Sequence, residues 1–232
     1  RPNAKFITYF QAHSYTYAPL KKLKECFELF INRQDCLGLS IATRSDSITD
    51  ECLNYLENIN QRTFLIVELG LQSIHEKTAK LINRCSSLEN FETMVKKLKA
   101  RNIKVVVHII NGLPYETEDM MIDTVKYLNK LNIDGIKIHM LHILKNTPLE
   151  QYYQNNKFKV LSKDEYVNIV VKQLEYLNPK IVIHRLTGDP DPNNIIEPKW
   201  LIKKFTILNE IDKIMAAKNI YQGDKTNEKF DY

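Results

Sequence analysis

The feature that most constrains the fold is the alternation, along the whole chain, of short apolar runs with longer amphipathic segments. The runs are rich in β-branched residues and have the length of strands, whereas the segments between them repeat apolar residues at helical spacing. This order is typical of repeated β/α units, which form parallel sheets. Strands are predicted at 5–11, 37–43, 64–71, 104–110, 135–143 and 180–185. Helices are predicted at 19–33, 48–61, 75–83, 88–101, 117–131, 163–177 and 199–218.

Parallel β/α units close into a barrel or form an open sheet, and both architectures bind ligands at the carboxyl ends of the strands. The glycine-rich loops that cradle dinucleotides or nucleoside triphosphates are missing after the predicted strands, which favours a full or partial barrel. Residues 1–223 are predicted to form this barrel with a C-terminal helical extension, and 224–232 a flexible tail.

Two helix starts carry an S-x-x-E pattern, in which serine and glutamate each bond a backbone amide of the first turn. Ser73 with Glu76 and Ser162 with Glu165 have this spacing and predict two capping boxes.

Composition limits the class of protein. Charged residues make up 26% of the chain, and the apolar runs are too short to span a membrane. No export leader is recognised, so a cytoplasmic protein without a membrane partner is expected. The four cysteines match neither a zinc knuckle nor a disulfide framework. The formal charge of +5 permits nucleic acid binding without indicating it, because lysine clusters are usually solvated helix faces.

The predicted third strand ends in a run of polar residues. Its period-two alternation places Glu68, Gly70 and Gln72 on one face. A carboxylate and an amide beside a glycine suit the hydroxyls of a ribose or the amine of an amino acid. The alternative is that both side chains only satisfy a polar layer inside the barrel.

Three phrases at strand ends, with Arg84 twelve residues after Gln72, resemble the motifs of radical S-adenosylmethionine (SAM) enzymes. The resemblance is to the Elongator-like and coproporphyrinogen-oxidase-like branch, and within it to bacterial proteins of the YhcC type. The phrases are Glu68-Leu-Gly-Leu-Gln72-Ser73, His108-Ile-Ile-Asn-Gly112-Leu-Pro114-Tyr-Glu116-Thr117 and Lys145-Asn-Thr147-Pro148-Leu149. Further counterparts are Tyr9-Phe10-Gln11-Ala12, Leu39-Ser40-Ile41-Ala42-Thr43-Arg44 and Ile183-His184-Arg185-Leu186-Thr187-Gly188-Asp189.

The resemblance implies an α/β fold, a partial (β/α)6 TIM-like barrel of parallel strands with SAM at its open top. Phe10, Gln11 and Ala12 would offer backbone groups to the methionyl amine. Gln72 and Arg84 would hold the ribose and the carboxylate, the latter through a bidentate guanidinium. A helix-surface arginine is the alternative for Arg84. The remaining implied cofactor residues are Glu68, His108, Ile110, Asn111 and Gly112.

Two departures from the family pattern matter. Ala42 stands where many relatives have a glutamate, so that acidic contact is absent or supplied by Glu68. The family's C-x-x-x-C-x-x-C loop, which binds a [4Fe–4S] cluster, has no counterpart here. The first strand and the cluster cysteines are therefore expected upstream of Arg1. The alternative is a relative that has lost its cluster.

The resemblance also implies an activity. SAM on the reduced cluster would yield a 5′-deoxyadenosyl radical that abstracts hydrogen from a substrate, with flavodoxin or ferredoxin as electron donor. Wobble uridine in tRNA is the leading substrate class, because the Elongator branch acts there. No catalytic side chain is assigned. Substrate contacts are expected from Lys137, His139, His184 and Arg185, although a lone strand histidine is as often structural.

Two other functions stay open. One is a barrel lyase that uses Lys137 as a Schiff-base nucleophile. The other is a non-catalytic barrel that binds tRNA.

Overall fold

A computed structural model describes residues 4–11, 14–188, 190–202 and 204–226. The strands are β1 Phe6–Phe10, β2 Cys36–Thr43, β3 Phe64–Gln72, β4 Lys104–Asn111, β5 Gly135–Met140, β6 Ile143–Leu144, β7 Val182–Arg185 and β8 Ile195–Glu197. The α-helices are α1 Leu20–Ile31, α2 Asp50–Arg62, α3 Glu76–Leu81, α4 Leu88–Lys99, α5 Glu118–Leu128, α6 Pro148–Asn156, α7 Lys163–Tyr176 and α8 Lys204–Lys218.

All six predicted strands belong to one sheet, in the order β1-β2-β3-β4-β5-β7. The pairs β1–β2, β2–β3 and β5–β7 are parallel, as the β/α alternation predicts. The short strands β6 and β8 form a separate antiparallel pair. In the part of the chain that the structure describes, no helix has the length and apolar character needed to cross a membrane.

The chain divides into two compact units. The first comprises residues 1–71, 86–108 and 131–134, and the second comprises 72–85, 109–130 and 135–232. The core of the first unit includes Leu39 and Ile41 of β2 and Leu65 of β3, which are fully buried. In the second unit Tyr166 of α7 is fully buried and donates a hydrogen bond to Leu186 O at 3.0 Å.

Serine and threonine caps begin five of the helices, because their side-chain oxygens accept otherwise unpaired backbone amides. These caps are Thr49, Ser87, Thr117, Thr147 and Ser162.

Of the two predicted capping boxes, that of Ser162 and Glu165 is confirmed in both its bonds. The box of Ser73 and Glu76 is wrong. Helix α3 begins only at Glu76, after an N-cap residue, His75, whose side chain makes no capping bond. The Ser73 hydroxyl instead bonds the carboxylate of Glu116, and Glu76 accepts from Arg84.

Three regions differ most from the sequence prediction. The strand predicted at 135–143 ends at Met140, and β6 pairs with β8, a strand that was not predicted. Helix α6 was missed, because it is short and polar and none of its residues is fully buried. The helix predicted at 199–218 is a 3-10 turn over Lys199–Ile202 followed by α8.

Candidate functional site

In the first unit, a buried carboxylate lies at the centre of a polar cluster. The Glu68 side chain, 3% exposed, accepts hydrogen bonds from Tyr9 Oη at 3.0 Å and from Ser40 Oγ at 2.7 Å. His108 Nε2 lies 2.6 Å from the second carboxylate oxygen. Four strands, β1 to β4, thus surround one buried carboxyl group with hydrogen-bonding side chains, which is how a protein interior tolerates a polar group.

Two members of this cluster were not singled out from the sequence as site residues. Tyr9 is paired with Ser40 across β1 and β2, and Ser40 and Ala42 lie on the same face of β2. Ala42 in turn pairs with Glu68. Alternate residues of neighbouring strands lie on the same face of a sheet. Applying this rule to the motifs of β1, β2 and β3 together could have placed Tyr9 and Ser40 beside Glu68. Glu68 is thus the direct strand neighbour of Ala42, the position at which the resemblance implies a glutamate in many relatives.

The first predicted SAM-binding phrase is only partly described. Phe10 is 5% exposed and packs on Phe27 and Tyr15, with ring centroids 4.8 Å and 5.2 Å away. Its side chain is core, so only its backbone could meet a ligand. Gln11 is exposed, and Ala12 lies outside the described residues.

In the second unit, the chain turns sharply after β3, and Arg84 stabilises that turn. Gln72 has a φ of 65°, in the left-handed region. Arg84, 8% exposed, donates from Nη1 to Ser73 O at 2.6 Å and from Nη2 to Glu76 Oε1 at 3.0 Å. The structure therefore brings Arg84 against the residue that follows Gln72, and a buried arginine replaces the helix-surface alternative.

Glu116 completes this turn and was also missed. Burial raises the pKa of Glu116, against the lowering effect of hydrogen bonds from Ser73 and Thr78. The Ser73 hydroxyl further accepts the amide of His75 at 3.1 Å. Glu116 belongs to the family phrase that begins at His108, but a loop carboxylate gives no sequence sign that it will be buried.

At the end of β4, backbone groups rather than side chains are available to a ligand. The Asn111 and Gln173 amides exchange hydrogen bonds of 2.7 Å and 2.9 Å, and the Asn111 carbonyl accepts from Leu141 N. Gly112 has a φ of 82°, and a β-carbon there would lie 3.1 Å from Leu161. Ile110 is half-buried. The side chain of Asn111 is thus bonded to Gln173 of helix α7. Its predicted contact with the cofactor could therefore be made only by the main chain.

Of the four predicted substrate residues, two are neighbours. The register of β5 and β7 pairs Lys137, which is 7% exposed, with Arg185. His139, two residues beyond Lys137 on β5, is half-buried. His184 is exposed and lines, with Arg185, a cavity of about 350 Å³ that follows residues 183–188. The exposed edge of β7 is therefore open to a small molecule.

The described cysteines do not fit an iron–sulfur cluster. Each is a free thiol, and the described residues contain no group of three metal-ligating side chains. Burial raises the pKa of Cys52 to about 11 and also raises that of Cys26, whereas a ligand must be a thiolate.

Comparison with known proteins shows the family of the chain. The family model described as "Radical SAM superfamily" matches residues 4–128, and the one described as "Radical_SAM C-terminal domain" matches residues 133–217.

Three curated relatives are informative. "Uncharacterized protein YtqA" of Bacillus subtilis is 45% identical over 95% of this chain, and "Protein YhcC" of Escherichia coli K12 is 26% identical over 91%. The chain spans 69% of the length of each. The "tRNA uridine(34) acetyltransferase" of Methanocaldococcus infernus is 23% identical over 80% of the chain, which spans 34% of that relative.

A solved structure agrees with the predicted fold. Elp3 from Methanocaldococcus infernus, lacking residues 1–46, matches with a TM-score of 0.83 and 20% identity over 95% of this chain. The chain spans 56% of that protein. The match confirms the predicted fold class, an α/β partial TIM-like barrel.

Proposed function

The chain belongs to the radical SAM superfamily, and from that premise we propose that its protein abstracts hydrogen from a wobble uridine of tRNA. It is an enzyme of a family that uses SAM and a [4Fe–4S] cluster. The radical chemistry in this proposal rests mainly on the family match over residues 4–128. Likeness to a relative named for tRNA uridine(34) supports the substrate class, and the formal charge of +5 is compatible with it.

We assign the ribose and carboxylate of SAM to Gln72 and Arg84. Arg84 is already fixed beside Gln72 by its bond to Ser73 O. Glu76, which also accepts from the guanidinium, has a side chain that is 49% exposed. A ligand carboxylate can therefore replace Glu76 on the guanidinium while the bond to Ser73 is kept, which gives the fork geometry that arginine provides for carboxylates.

The remaining predicted cofactor contacts are proposed as backbone contacts at Phe10 and along Ile110 to Gly112. Glu68 is proposed to orient His108 rather than to meet SAM by itself, since three side chains already surround the carboxylate. When bound, SAM supplies the radical that takes hydrogen from the substrate. The protein's own task is to orient the reactants and exclude water.

The first experiment tests radical chemistry. The full-length natural protein is purified without oxygen, reconstituted with iron and sulfide, and reduced in the presence of SAM. We expect a brown protein that releases 5′-deoxyadenosine. Gln72→Asn, which keeps an amide and tolerates the left-handed backbone, should weaken SAM binding without changing the thermal stability. A colourless protein that leaves SAM intact would contradict the proposal.

The second experiment tests the substrate. Nucleosides from the tRNA of a deletion strain are analysed by mass spectrometry, and a modified wobble uridine should be lost or shortened. Unchanged nucleosides would exclude tRNA as the substrate. Family membership favours radical chemistry over the Schiff-base lyase, and borohydride trapping at Lys137 would reverse that choice. Salt-sensitive tRNA binding without SAM turnover would indicate the non-catalytic barrel.

A further inference from the structure

An aromatic platform lies in the second unit, close to the end of β4. It consists of Tyr115, Tyr152, Tyr153 and Phe158. The three tyrosine rings surround the buried Phe158, with centroids 6.4 Å, 6.2 Å and 5.1 Å from it. The Tyr115 and Tyr152 hydroxyls lie 3.2 Å apart. Phe158 therefore anchors a group of rings whose outer member, Tyr115, is 62% exposed.

Tyr115 is held in a conformation that disfavours it. Its φ of 65° lies in the left-handed region, where a side chain larger than that of glycine or asparagine is uncommon. Burial of the ring does not offset this strain, because most of the side chain is exposed to solvent. A bond between two surface hydroxyls contributes little to stability. The edge contact with Phe158 accounts for only part of the ring, whereas a ligand that stacks on the ring would account for its exposed part.

Positive charge accompanies the platform. The Lys157 ammonium lies 4.7 Å from the centroid of the Tyr153 ring, and among the described residues it has no carboxylate partner. The segment 143–163 carries lysines at 145, 157, 159 and 163 and a single acidic residue, Glu150. Lys159 and Lys163 are paired with glutamates, and Lys145 donates to the backbone oxygen of Asn193. Lys157 is the lysine of this segment that lies against a platform ring, so it is the cation best placed for an anionic ligand.

We propose that the aromatic platform binds RNA, with an unpaired base stacked on Tyr115 and the adjoining phosphate beside Lys157. Exposed aromatic rings next to a cation are how proteins hold single-stranded nucleic acid. The position fits, because Tyr115 follows β4 by four residues and ligands of β/α barrels bind at the carboxyl ends of strands. The inference rests on the proposed function, since it names the surface that would hold the tRNA substrate.

The test compares two substitutions in the full-length protein. Tyr115→Asn removes the ring but suits the left-handed backbone, whereas Tyr115→Phe keeps the ring and removes the hydroxyl. The probe is a fluorescent anticodon stem-loop with a uridine at the wobble position. We expect Tyr115→Asn to bind it about tenfold or more weakly, with an unchanged or raised melting temperature, and Tyr115→Phe to bind like the wild type. Tyr221→Ala, at another exposed tyrosine, is the control and should also bind like the wild type.

Two further arms separate the possible outcomes. A blunt duplex made from the same stem offers no unpaired base and should bind equally to the wild type and to Tyr115→Asn. SAM affinity should be the same in both proteins. If Tyr115→Asn weakens SAM binding and leaves RNA binding intact, the stacked base is the adenine of SAM and the platform proposal is overturned. If the wild type binds no RNA, the proposed substrate fails; if wild type and Tyr115→Asn bind equally, only the platform fails.

Discussion

Two glycines are crowded by different kinds of atom. A β-carbon at Gly38 would lie 2.1 Å from the backbone oxygen of Phe64, its partner on β3. A β-carbon at Gly188 would lie 2.3 Å from Nε2 of His142. The backbone of Phe64 cannot move away without breaking the hydrogen bonds between β2 and β3. The imidazole ring of His142 can rotate instead. Substitution by alanine should therefore destabilise the protein more at Gly38 than at Gly188.

We expect Gly38→Ala to lower the free energy of unfolding by about 3 kcal/mol or more, and Gly188→Ala by roughly 1–2 kcal/mol. Urea denaturation monitored by circular dichroism measures both. Adding His142→Ala should restore part of the loss at Gly188 and none of the loss at Gly38. Equal losses, or rescue at both positions, would show that the clashes relax in the same way.

Several residues of the candidate site can be selected from the sequence, but their hydrogen-bond partners cannot. Period-two alternation put Glu68 and Gln72 on one face, and the resemblance selected Arg84 and His108. The fork of Arg84 is nevertheless engaged by Ser73 and Glu76, and the amide of Asn111 is bonded to Gln173. These partners lie up to 62 residues away along the chain, and nothing local in the sequence specifies them.

At the scale of elements, Asp134 joins three parts of the first unit. Its carboxylate accepts from Lys99 at 2.5 Å, at the end of α4, and from Lys104 at 2.9 Å, at the start of β4. It also accepts the backbone amide of Val105 at 2.9 Å. Burial alone would raise the pKa of Asp134, but these hydrogen bonds outweigh burial and lower it.

A lowered pKa makes the junction sensitive to acid. The stabilisation is complete above the unfolded pKa of about 3.9 and is lost as the pH falls through the lower, folded value. Asp134→Asn should therefore be less stable than the wild type at neutral pH and lose less stability from about pH 5 to about pH 3. Urea midpoints across this range measure the difference. Parallel curves would rule out Asp134 as the source of the acid sensitivity.

The elements themselves were predictable where local pattern and tertiary pairing agree. The six strands of the main sheet follow from their apolar runs, and the Ser162 cap from its spacing with Glu165. The run from 135 to 143 contains two strands in two sheets, because Ile143 pairs with Glu197, far along the chain. Helix α6 is short and buries no residue, although Thr147 and Pro148 are a typical helix start.

At the scale of the whole molecule, net charge and local stacking should have separable effects on RNA binding. The formal charge of +5 acts on phosphates at a distance and is screened by salt, whereas stacking on Tyr115 is short-ranged and nearly independent of salt. Binding of the stem-loop should weaken at least about tenfold between about 50 mM and 200 mM salt.

The slope of log affinity against log salt counts the phosphates that the protein neutralises. Wild type and Tyr115→Asn should consequently give parallel lines, with the variant displaced to weaker binding at every salt concentration. Lys157→Gln should instead reduce the slope by roughly 0.7, the value for one contact on a single strand. A flat line for the wild type would argue against a polyanionic substrate. A change of slope in Tyr115→Asn would mean that the ring organises phosphate contacts rather than stacking on a base.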